Sequence, residues 1–460
     1  MNEQSNVAHK KGNSSDFGEA LAGMQERFAL LNMNGKFSVF DQIVLAQTTD
    51  KGTANRLMPS NRSDGSLLVE RAIRAQYPQA KAGDVVDEFW VSPMTTCYDG
   101  VDFNPKGAAA NYLNLWIGPT IVAKSGNWVL IKMYLLEVVC DGDEKSYRYL
   151  ICYIAHALQR PWEKPGVMII LIGGQGIGKG TLARLLNRIW RATFLQISNV
   201  DSVTGNFNSS LERAYIVFMD EALFAGDRKA ADSLKSLVTE PVIHINEKYQ
   251  PARQTSSFHR FFAATNAEHF KNTERDDRRD FPLRVSEARK GDWGYWKALN
   301  HEIDNGGTEA MVHDLLAMDL SEYEVRAKPD TKELLEQKLK SLGAIPRWWH
   351  EALCCGELFA GNDWPEFIST EDIIAGVVDM AGGKIYRKPA AIDVAQEFAK
   401  LCPSATKGQK KDGLSGRRRG LCLPPLEQAR AEFDQYIGGP VKWDVSPSTD
   451  VDTSQAPSAF

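Results

Sequence analysis

The sequence predicts an α/β protein with a nucleotide-binding core, and three stretches carry that prediction. Residues 173–181 form a glycine-rich loop between the apolar run 167–172 and a helical pattern. Two further apolar runs, 214–221 and 260–266, each end on polar side chains. Buried runs of strand length that alternate with helical patterns are typical of a parallel sheet covered by helices.

The glycine-rich loop has the surroundings of a phosphate-binding site. Glycines let the backbone turn tightly, so that its N–H groups point at phosphate oxygens. Lys179 supplies a positive charge for the β- and γ-phosphates. The apolar residues after Thr181 recur with helical spacing, which places the positive end of a helix against the loop. An ordinary glycine-rich turn is the alternative, and it does not account for the strand before and the helix after. The predicted nucleotide contacts are Gly173, Gly174, Gln175, Gly176, Ile177, Gly178, Lys179, Gly180 and Thr181.

The loop departs from the usual pattern at one position. The residue after the lysine is normally a serine or threonine that binds Mg²⁺, but here it is Gly180. The hydroxyl comes one place later, so we predict Thr181 as the local metal ligand. Adenylate kinases also carry a Gly-Lys-Gly-Thr loop, so the loop alone leaves a nucleotide kinase open.

The second run ends on two carboxylates, Asp220 and Glu221. We predict that Asp220 holds Mg²⁺ and that Glu221 polarises the water that attacks the γ-phosphate of ATP. The alternative is a strand end with solvated acids. A nucleotide kinase must exclude water, so a water-activating pair favours hydrolysis.

The third run ends on Asn266, which we predict to lie between the other two strand tips and to orient the attacking water. A turn-forming asparagine is the alternative. Between the second and third runs, residues 242–257 predict a hairpin with Lys248 and Arg253 near its tip. Such a hairpin would bind a DNA backbone by charge, whereas the alternative is a basic surface loop.

Composition sets limits on the class of protein. The chain has 460 residues, 43% of them hydrophobic and 25% charged, with a net charge of −5, so any contact with DNA has to be local. No apolar run is long enough to span a bilayer. The seven cysteines show no Cys-x-x-Cys spacing, which favours a reducing cytoplasm and disfavours a structural zinc.

Changes in pattern along the chain predict six regions. In chain order they are a disordered tail (1–16), an α+β region (17–130) with strands at 37–40, 89–91 and 127–131, a helical collar (131–165), the nucleotide-binding core (166–343), a small, mainly helical C-terminal domain (344–444) and a second disordered tail (445–460).

Together these motifs resemble the superfamily 3 helicases of the AAA+ class, and above all the helicase module of phage and prophage primase–helicases. The segments that carry the resemblance are 173–181, 206–227, 234–250, 261–266 and 276–281. It implies an AAA+ P-loop NTPase core that forms a ring, a hexamer by analogy, around single-stranded or forked DNA and hydrolyses ATP with Mg²⁺ at subunit interfaces.

The same resemblance assigns roles outside the three strand tips. Lys248 matches the basic residue of the pore hairpin. Arg278 or Arg279 matches the arginine that reaches the neighbouring subunit's nucleotide, although a run of arginines is more often a solvated face. The C-terminal domain resembles a winged-helix module that binds DNA, and a separate primase or replication initiator is the expected partner. A ring ATPase that loads on DNA or remodels protein without unwinding is the alternative function.

Overall fold

The chain folds into two compact units in the computed structural model. The first comprises residues 1–268 and 279–329, and the second comprises residues 269–278 and 330–460. The structure describes residues 3–33, 35–46, 57–205, 207–221, 228–246, 252–267, 277–358, 363–381, 388–412 and 416–443. Within these ranges, no helix has both the length and the apolar content needed to cross a bilayer.

The N-terminal part of the first unit is a small sheet packed against helices. Its helices are α1 (Glu3–Arg27), α2 (Gln42–Ala46), α3 (Arg62–Gln76) and α4 (Ala82–Val91). Its strands are β1 (Phe28–Met33), β2 (Lys36–Asp41), β3 (Ser60–Asn61), β4 (Cys97–Tyr98), β5 (Gly100–Asp102) and β6 (Tyr112–Asn114). The strand order is β3-β2-β1-β4, and β5 pairs separately with β6. Phe28, Val69 and Phe89 are fully buried in the core between the sheet and the helices.

The predictions for this part are confirmed in one place and wrong in three. The strand at 37–40 is confirmed as part of β2. Residues 89–91 lie in α4, because Ala82, Val85, Val86 and Phe89 form one buried helical stripe that a three-residue window hides. The strand predicted at 127–131 is also wrong, because α5 (Val129–Met133) occupies most of it. Residues 3–16, expected to be disordered, continue α1 towards the N-terminus.

Helix α5 is fixed by a contact from far along the chain. The Glu302 carboxylate accepts hydrogen bonds from the backbone N–H of Leu130 at 3.3 Å and of Ile131 at 2.8 Å. These N–H groups belong to the first turn and have no partner within the helix. A carboxylate 171 residues away thus caps the helix, which local sequence does not reveal.

The remainder of the first unit is the predicted α/β core. A π-helix (Tyr134–Val139) and α6 (Glu144–Gln159) precede it. Its strands are β7 (Met168–Ile172), β8 (Phe194–Ile197), β9 (Ile216–Asp220), β10 (Val242–Ile245), β11 (Arg253–Ser256), β12 (Arg260–Thr265) and β13 (Asp280–Arg284). Its helices are α7 (Lys179–Ile189), α8 (Asp201–Thr204), α9 (Arg228–Thr239), α10 (Trp293–Glu302) and α11 (Thr308–Leu316), with a 3-10 turn at Ser209–Arg213 and a π-type turn at Ile303–Gly307.

Five of these strands form one parallel sheet in the order β13-β7-β12-β9-β8. The register aligns Thr265 with Ile172 and Ala264 with Asp220, so the carboxyl ends of β7, β9 and β12 meet at one edge. The mixed α/β class is therefore confirmed. Strands β10 and β11 form the predicted antiparallel hairpin, with Val242 opposite Ser256.

The second unit consists mostly of helices around a three-stranded sheet. Its helices are α12 (Lys332–Lys340), α13 (Ala344–Cys355), α14 (Thr370–Met380), α15 (Ala391–Leu401) and α16 (Leu426–Ile437). Its strands are β14 (Phe367–Ser369), β15 (Thr406–Asp412) and β16 (Gly416–Cys422), in the order β14-β16-β15. Trp349, Ile373 and Phe433 are fully buried in its separate core. The tail predicted to be disordered, 445–460, lies outside the described residues.

Candidate nucleotide-binding site

The glycine-rich loop connects β7 to α7 at the carboxyl edge of the sheet. Gly178 has a φ of +104°, and a Cβ placed there would lie 2.3 Å from the Trp296 ring. At Gly173 a Cβ would lie 2.5 Å from Ile177. Both positions exclude any residue larger than glycine, for reasons of space as well as conformation. The loop therefore depends on glycine because neighbouring side chains close over it.

Two aromatic side chains hold the loop in place. The Tyr134 hydroxyl, from the π-helix, donates a hydrogen bond of 2.8 Å to the Gly178 carbonyl. Trp296 lies against Gly178 and donates its indole N–H to the Arg289 carbonyl at 2.9 Å. The two rings meet edge to face with their centroids 6.1 Å apart. The sequence gives no local signal for either residue, because each reaches the loop from a separate element.

Lys179 is buried at the start of α7, and its ammonium group has three acceptors. Nζ donates to the Gly173 carbonyl at 2.5 Å, to the Gly174 carbonyl at 2.6 Å and to Asn266 Oδ1 at 2.6 Å. Burial lowers the pKa of Lys179, and the carboxylates of Glu221 and Asp220 oppose that shift. A lysine ammonium has three N–H donors, and all three are used. The charge is thus held at the place where the loop would meet phosphate.

Asn266 joins the lysine to the catalytic glutamate predicted from the sequence. Its Oδ1 accepts from Lys179, while its Nδ2 donates to Glu221 Oε1 at 2.6 Å. An ammonium can only donate and a carboxylate can only accept, so these two partners fix the orientation of the amide. The three strand tips are therefore linked through side chains, as their spacing predicted.

Glu221 has an unusual backbone conformation. Its φ is +54°, and only one other described non-glycine residue, Asp141, has a positive φ. The Glu221 N–H donates to the Ala264 carbonyl of the neighbouring strand at 2.8 Å, which holds the chain in this turn. A left-handed glutamate costs on the order of 1–3 kcal/mol, and such strain is concentrated at functional sites.

The predicted metal ligands provide hard oxygen atoms, which is the kind of ligand that Mg²⁺ prefers. Asp220 ends β9, is half-buried and receives one weak hydrogen bond, 3.3 Å from Gln196 Nε2. Thr181 lies in the first turn of α7, with its N–H bonded to the Gly178 carbonyl. Magnesium sites of this type use one or two protein ligands, and phosphate and water complete the shell. Asp220 and Thr181 fit that description.

The sheet register separates Arg279, one of the two predicted arginines, from the loop of its own chain. The Arg279 carbonyl accepts from the Met168 N–H, at the beginning of β7, whereas the loop follows Ile172 at its end. Four residues of strand correspond to roughly 13 Å. Arg279 is half-buried, and Arg278, which precedes it, is exposed. Arg279 thus lies at the edge of the sheet opposite the loop of its own chain.

The structure also places charged residues near the loop that were not predicted from the sequence. Arg284 ends β13 opposite Ile172, at the same edge as the loop. The ion pair between Glu287 and Lys290, 3.7 Å long, lies beside Gly174. The parallel register would have indicated Arg284, but no pattern in the sequence marks Lys290.

The predicted DNA contacts of the β10–β11 hairpin have different outcomes. Lys248 lies outside the described residues. Arg253 begins β11, and its guanidinium forms a two-pronged ion pair with Glu212, with both N–O distances 2.7 Å. Arg253 is therefore used within the fold, and its assignment to DNA gains no support from the geometry.

Comparison with known proteins gives partial matches. A family of unknown function, DUF5906, matches residues 171–279, which include the loop and the three strand tips. A DNA primase-polymerase of Nitratiruptor phage NrS-1 is 31% identical over 157 residues. That match covers 33% of this chain and only 21% of the phage protein.

Solved structures with a similar fold come from the same phage protein. The apo structure of the NrS-1 C terminal region superposes with a TM-score of 0.62 at 18% identity and covers 88% of this chain and 98% of that one. A second structure, the A form of that region, matches with the same TM-score and coverage at 17% identity. At this identity the likeness concerns the fold alone.

Proposed function

We propose that the first unit binds ATP with Mg²⁺ at the 173–181 loop and hydrolyses it. The observation that carries this proposal is the hydrogen-bond chain from Lys179 through Asn266 to Glu221. It joins a cation suited to phosphate, an amide and a carboxylate at one sheet edge, beside a loop that only glycine can form. Bound Mg²⁺ would neutralise charge on the phosphates, and Asp220 and Thr181 would hold it.

Each side chain has a distinct task in this proposal. Lys179 exchanges its two loop carbonyls for phosphate oxygens when nucleotide binds. Glu221 orients a water molecule and withdraws its proton, which is the usual role of a positioned carboxylate. Asn266 contacts both groups, so it relates the position of the water to the position of the phosphate. The strained backbone of Glu221 keeps its carboxylate beside Asn266.

We further propose that ATP hydrolysis drives a ring-shaped DNA helicase or translocase in phage DNA replication. The 31% identity with a phage primase-polymerase supports the replication context, as does the fold shared with its C terminal region. The position of Arg279, opposite its own loop, suits an arginine that acts on a neighbouring subunit. Lys248, which the sequence predicts near the tip of the pore hairpin, would contact single-stranded or forked DNA.

Three other activities compete with this proposal. A ring that hydrolyses ATP without unwinding would have the same site. Nucleotide polymerisation is suggested by the name of the phage relative, and the test below measures it directly. A nucleotide kinase is disfavoured because Glu221 and Asn266 suit attack by water.

The test measures three activities on one preparation. Phosphate release from ATP is measured with and without single-stranded DNA. Strand displacement is measured on a forked duplex, and deoxynucleotide incorporation is measured on a primed template. Helicase function predicts DNA-stimulated hydrolysis and displacement, both lost in Lys179→Ala. Hydrolysis without displacement would favour the remodelling ring, and incorporation without hydrolysis would overturn the proposal.

A further inference from the structure

The second unit has a strongly basic hairpin that the ATPase site does not involve. Strands β15 and β16 pair antiparallel from Thr406 opposite Cys422 to Asp412 opposite Gly416. Six exposed cations lie on them: Lys407, Lys410, Lys411, Arg417, Arg418 and Arg419. The chain as a whole carries a net charge of −5, so this is a local concentration of opposite sign.

The register brings like charges face to face. Lys410 lies opposite Arg418, and Lys411 lies opposite Arg417. Like charges directly across a strand pair destabilise it. Arg418 has a partner in Asp372, 3.3 Å away. Among the residues that the structure describes, no ion pair is made by Lys407, Lys410, Lys411, Arg417 or Arg419. Such an arrangement weakens the hairpin unless a polyanion binds to it.

The cations occupy both faces of the ribbon. Side chains alternate along a strand, and directly paired residues share a face. Lys407, Lys411, Arg417 and Arg419 therefore lie on one face, while Lys410 and Arg418 lie on the other. A ribbon that contacts a single chain of phosphates needs charge on one face only. Charge on both faces suits a groove with a phosphate backbone on each side.

Other features of the unit favour duplex DNA over single strands. No aromatic residue lies between positions 406 and 422, so bases of a single strand would find no ring to stack on. Helix α15, which precedes the hairpin, exposes Ile392 and carries Asp393 and Glu397, and its one lysine, Lys400, pairs with Glu397 at 3.0 Å. The major groove of B-DNA is about 12 Å wide and admits a two-stranded ribbon, whereas that of duplex RNA is narrow.

We propose that the β15–β16 hairpin is a duplex-DNA binding element that inserts between the two phosphate backbones of one groove. Strands of seven residues give a ribbon roughly 20 Å long. Recognition rests on phosphate charge, so binding depends strongly on salt and weakly on sequence. The hairpin belongs to the second unit, and the proposal holds whether or not the first unit hydrolyses ATP.

The test compares two charge-matched double variants of the full chain without nucleotide. Lys411→Gln with Arg417→Gln removes one facing pair from the hairpin. Lys332→Gln with Arg347→Gln removes the same charge from exposed positions on α12 and α13. Affinity for a 20-base-pair DNA duplex is measured by fluorescence anisotropy across a salt series, with a single strand and an RNA duplex of equal length beside it.

The hairpin variant should bind duplex DNA about tenfold more weakly than wild type. The slope of log K plotted against the logarithm of salt concentration should be less steep by about 2. The α12/α13 variant should bind like wild type. Lys411→Glu separates binding from folding: its new pairing with Arg417 should raise thermal stability while duplex affinity falls. The proposal is overturned if both double variants lose affinity equally, or if the hairpin variant loses affinity mainly for the single strand or the RNA duplex.

Discussion

Replacing Glu221 by glutamine isolates the chemical step of the proposed hydrolysis. In this protein Asn266 Nδ2 donates to Glu221 at 2.6 Å. The glutamine amide has the same shape as the carboxylate and retains an oxygen that can accept this hydrogen bond. The chain to Lys179 therefore stays intact, but the group that withdraws a proton from water is lost. A positioned general base contributes typically 10²–10⁴-fold to rate, or about 3–5 kcal/mol of barrier. Glu221→Gln should slow phosphate release by that factor.

The affinity of Glu221→Gln for ATP should not fall together with the rate. Glu221 contributes negative charge beside Lys179, as its effect on the pKa of that lysine shows. Removing the charge reduces repulsion of the phosphates, so ATP should bind as well as in wild type or more tightly. Phosphate release is measured by a coupled assay and binding by fluorescence of a labelled ATP analogue. Normal turnover in Glu221→Gln would refute the assignment of this carboxylate.

Glu221→Gly tests the strain separately. Glycine tolerates a φ of +54° without penalty but gains freedom in the unfolded chain, which costs about 0.5–1 kcal/mol. Relief of about 1–3 kcal/mol of strain should match or exceed that loss. The free energy of unfolding from urea titration should be unchanged or higher, while hydrolysis is lost. A variant less stable by 2 kcal/mol or more would show that the carboxylate stabilises the fold.

Three further predictions concern the loop, the ring and pH. Gly178→Ala should abolish ATP binding, because the new methyl group would overlap the Trp296 ring. The control Gly83→Ala, in α4, meets nothing within 4 Å and should bind ATP normally in the same assay. Mixing inactive Lys179→Ala subunits with inactive Arg278→Ala or Arg279→Ala subunits should restore partial ATPase activity if the replaced arginine acts across a subunit boundary. No recovery with either variant, in mixed rings verified by mass, would refute this role. Burial and the charge of Lys164 hold the pKa of His259 at about 4, below its ordinary 6.5. The contribution of neutral His259 to stability should therefore be complete above pH 6.5 and should be lost, by roughly 3 kcal/mol, as the pH falls from 6.5 to 4. Urea unfolding at a series of pH values should show a shallower loss in His259→Asn, and equal slopes would contradict the shift.

The site could be predicted well where it depends on strand order and poorly where it depends on distant contacts. Lys179, Glu221 and Asn266 follow apolar runs, and carboxyl ends of parallel strands meet at one edge, so their proximity followed from the pattern. Tyr134 and Trp296 close the loop from elements with no motif of their own. Their role depends on tertiary packing that local sequence does not encode.

The same limit explains the errors in the N-terminal part. The short run at 89–91 has strand-forming residues, but its neighbours three and four positions earlier place it on a buried helical face. The segment at 129–133 is helical because Glu302 caps it from a distant helix. Arg253 was assigned by its place near a turn, and only the structure shows Glu212 beside it. Short sequence windows predict secondary structure and side-chain roles poorly where a contact with a distant residue determines them.

Lys179, Asn266 and Glu221, linked by hydrogen bonds, are proposed to form an ATP-hydrolysing site. The most direct measurement is steady-state phosphate release by the purified chain with ATP, Mg²⁺ and single-stranded DNA, beside Lys179→Ala of equal secondary-structure content by circular dichroism. We expect DNA-stimulated hydrolysis in the wild type and its complete loss in the variant. Equal phosphate release by both proteins, or none by the wild type while it incorporates deoxynucleotides, would contradict the account.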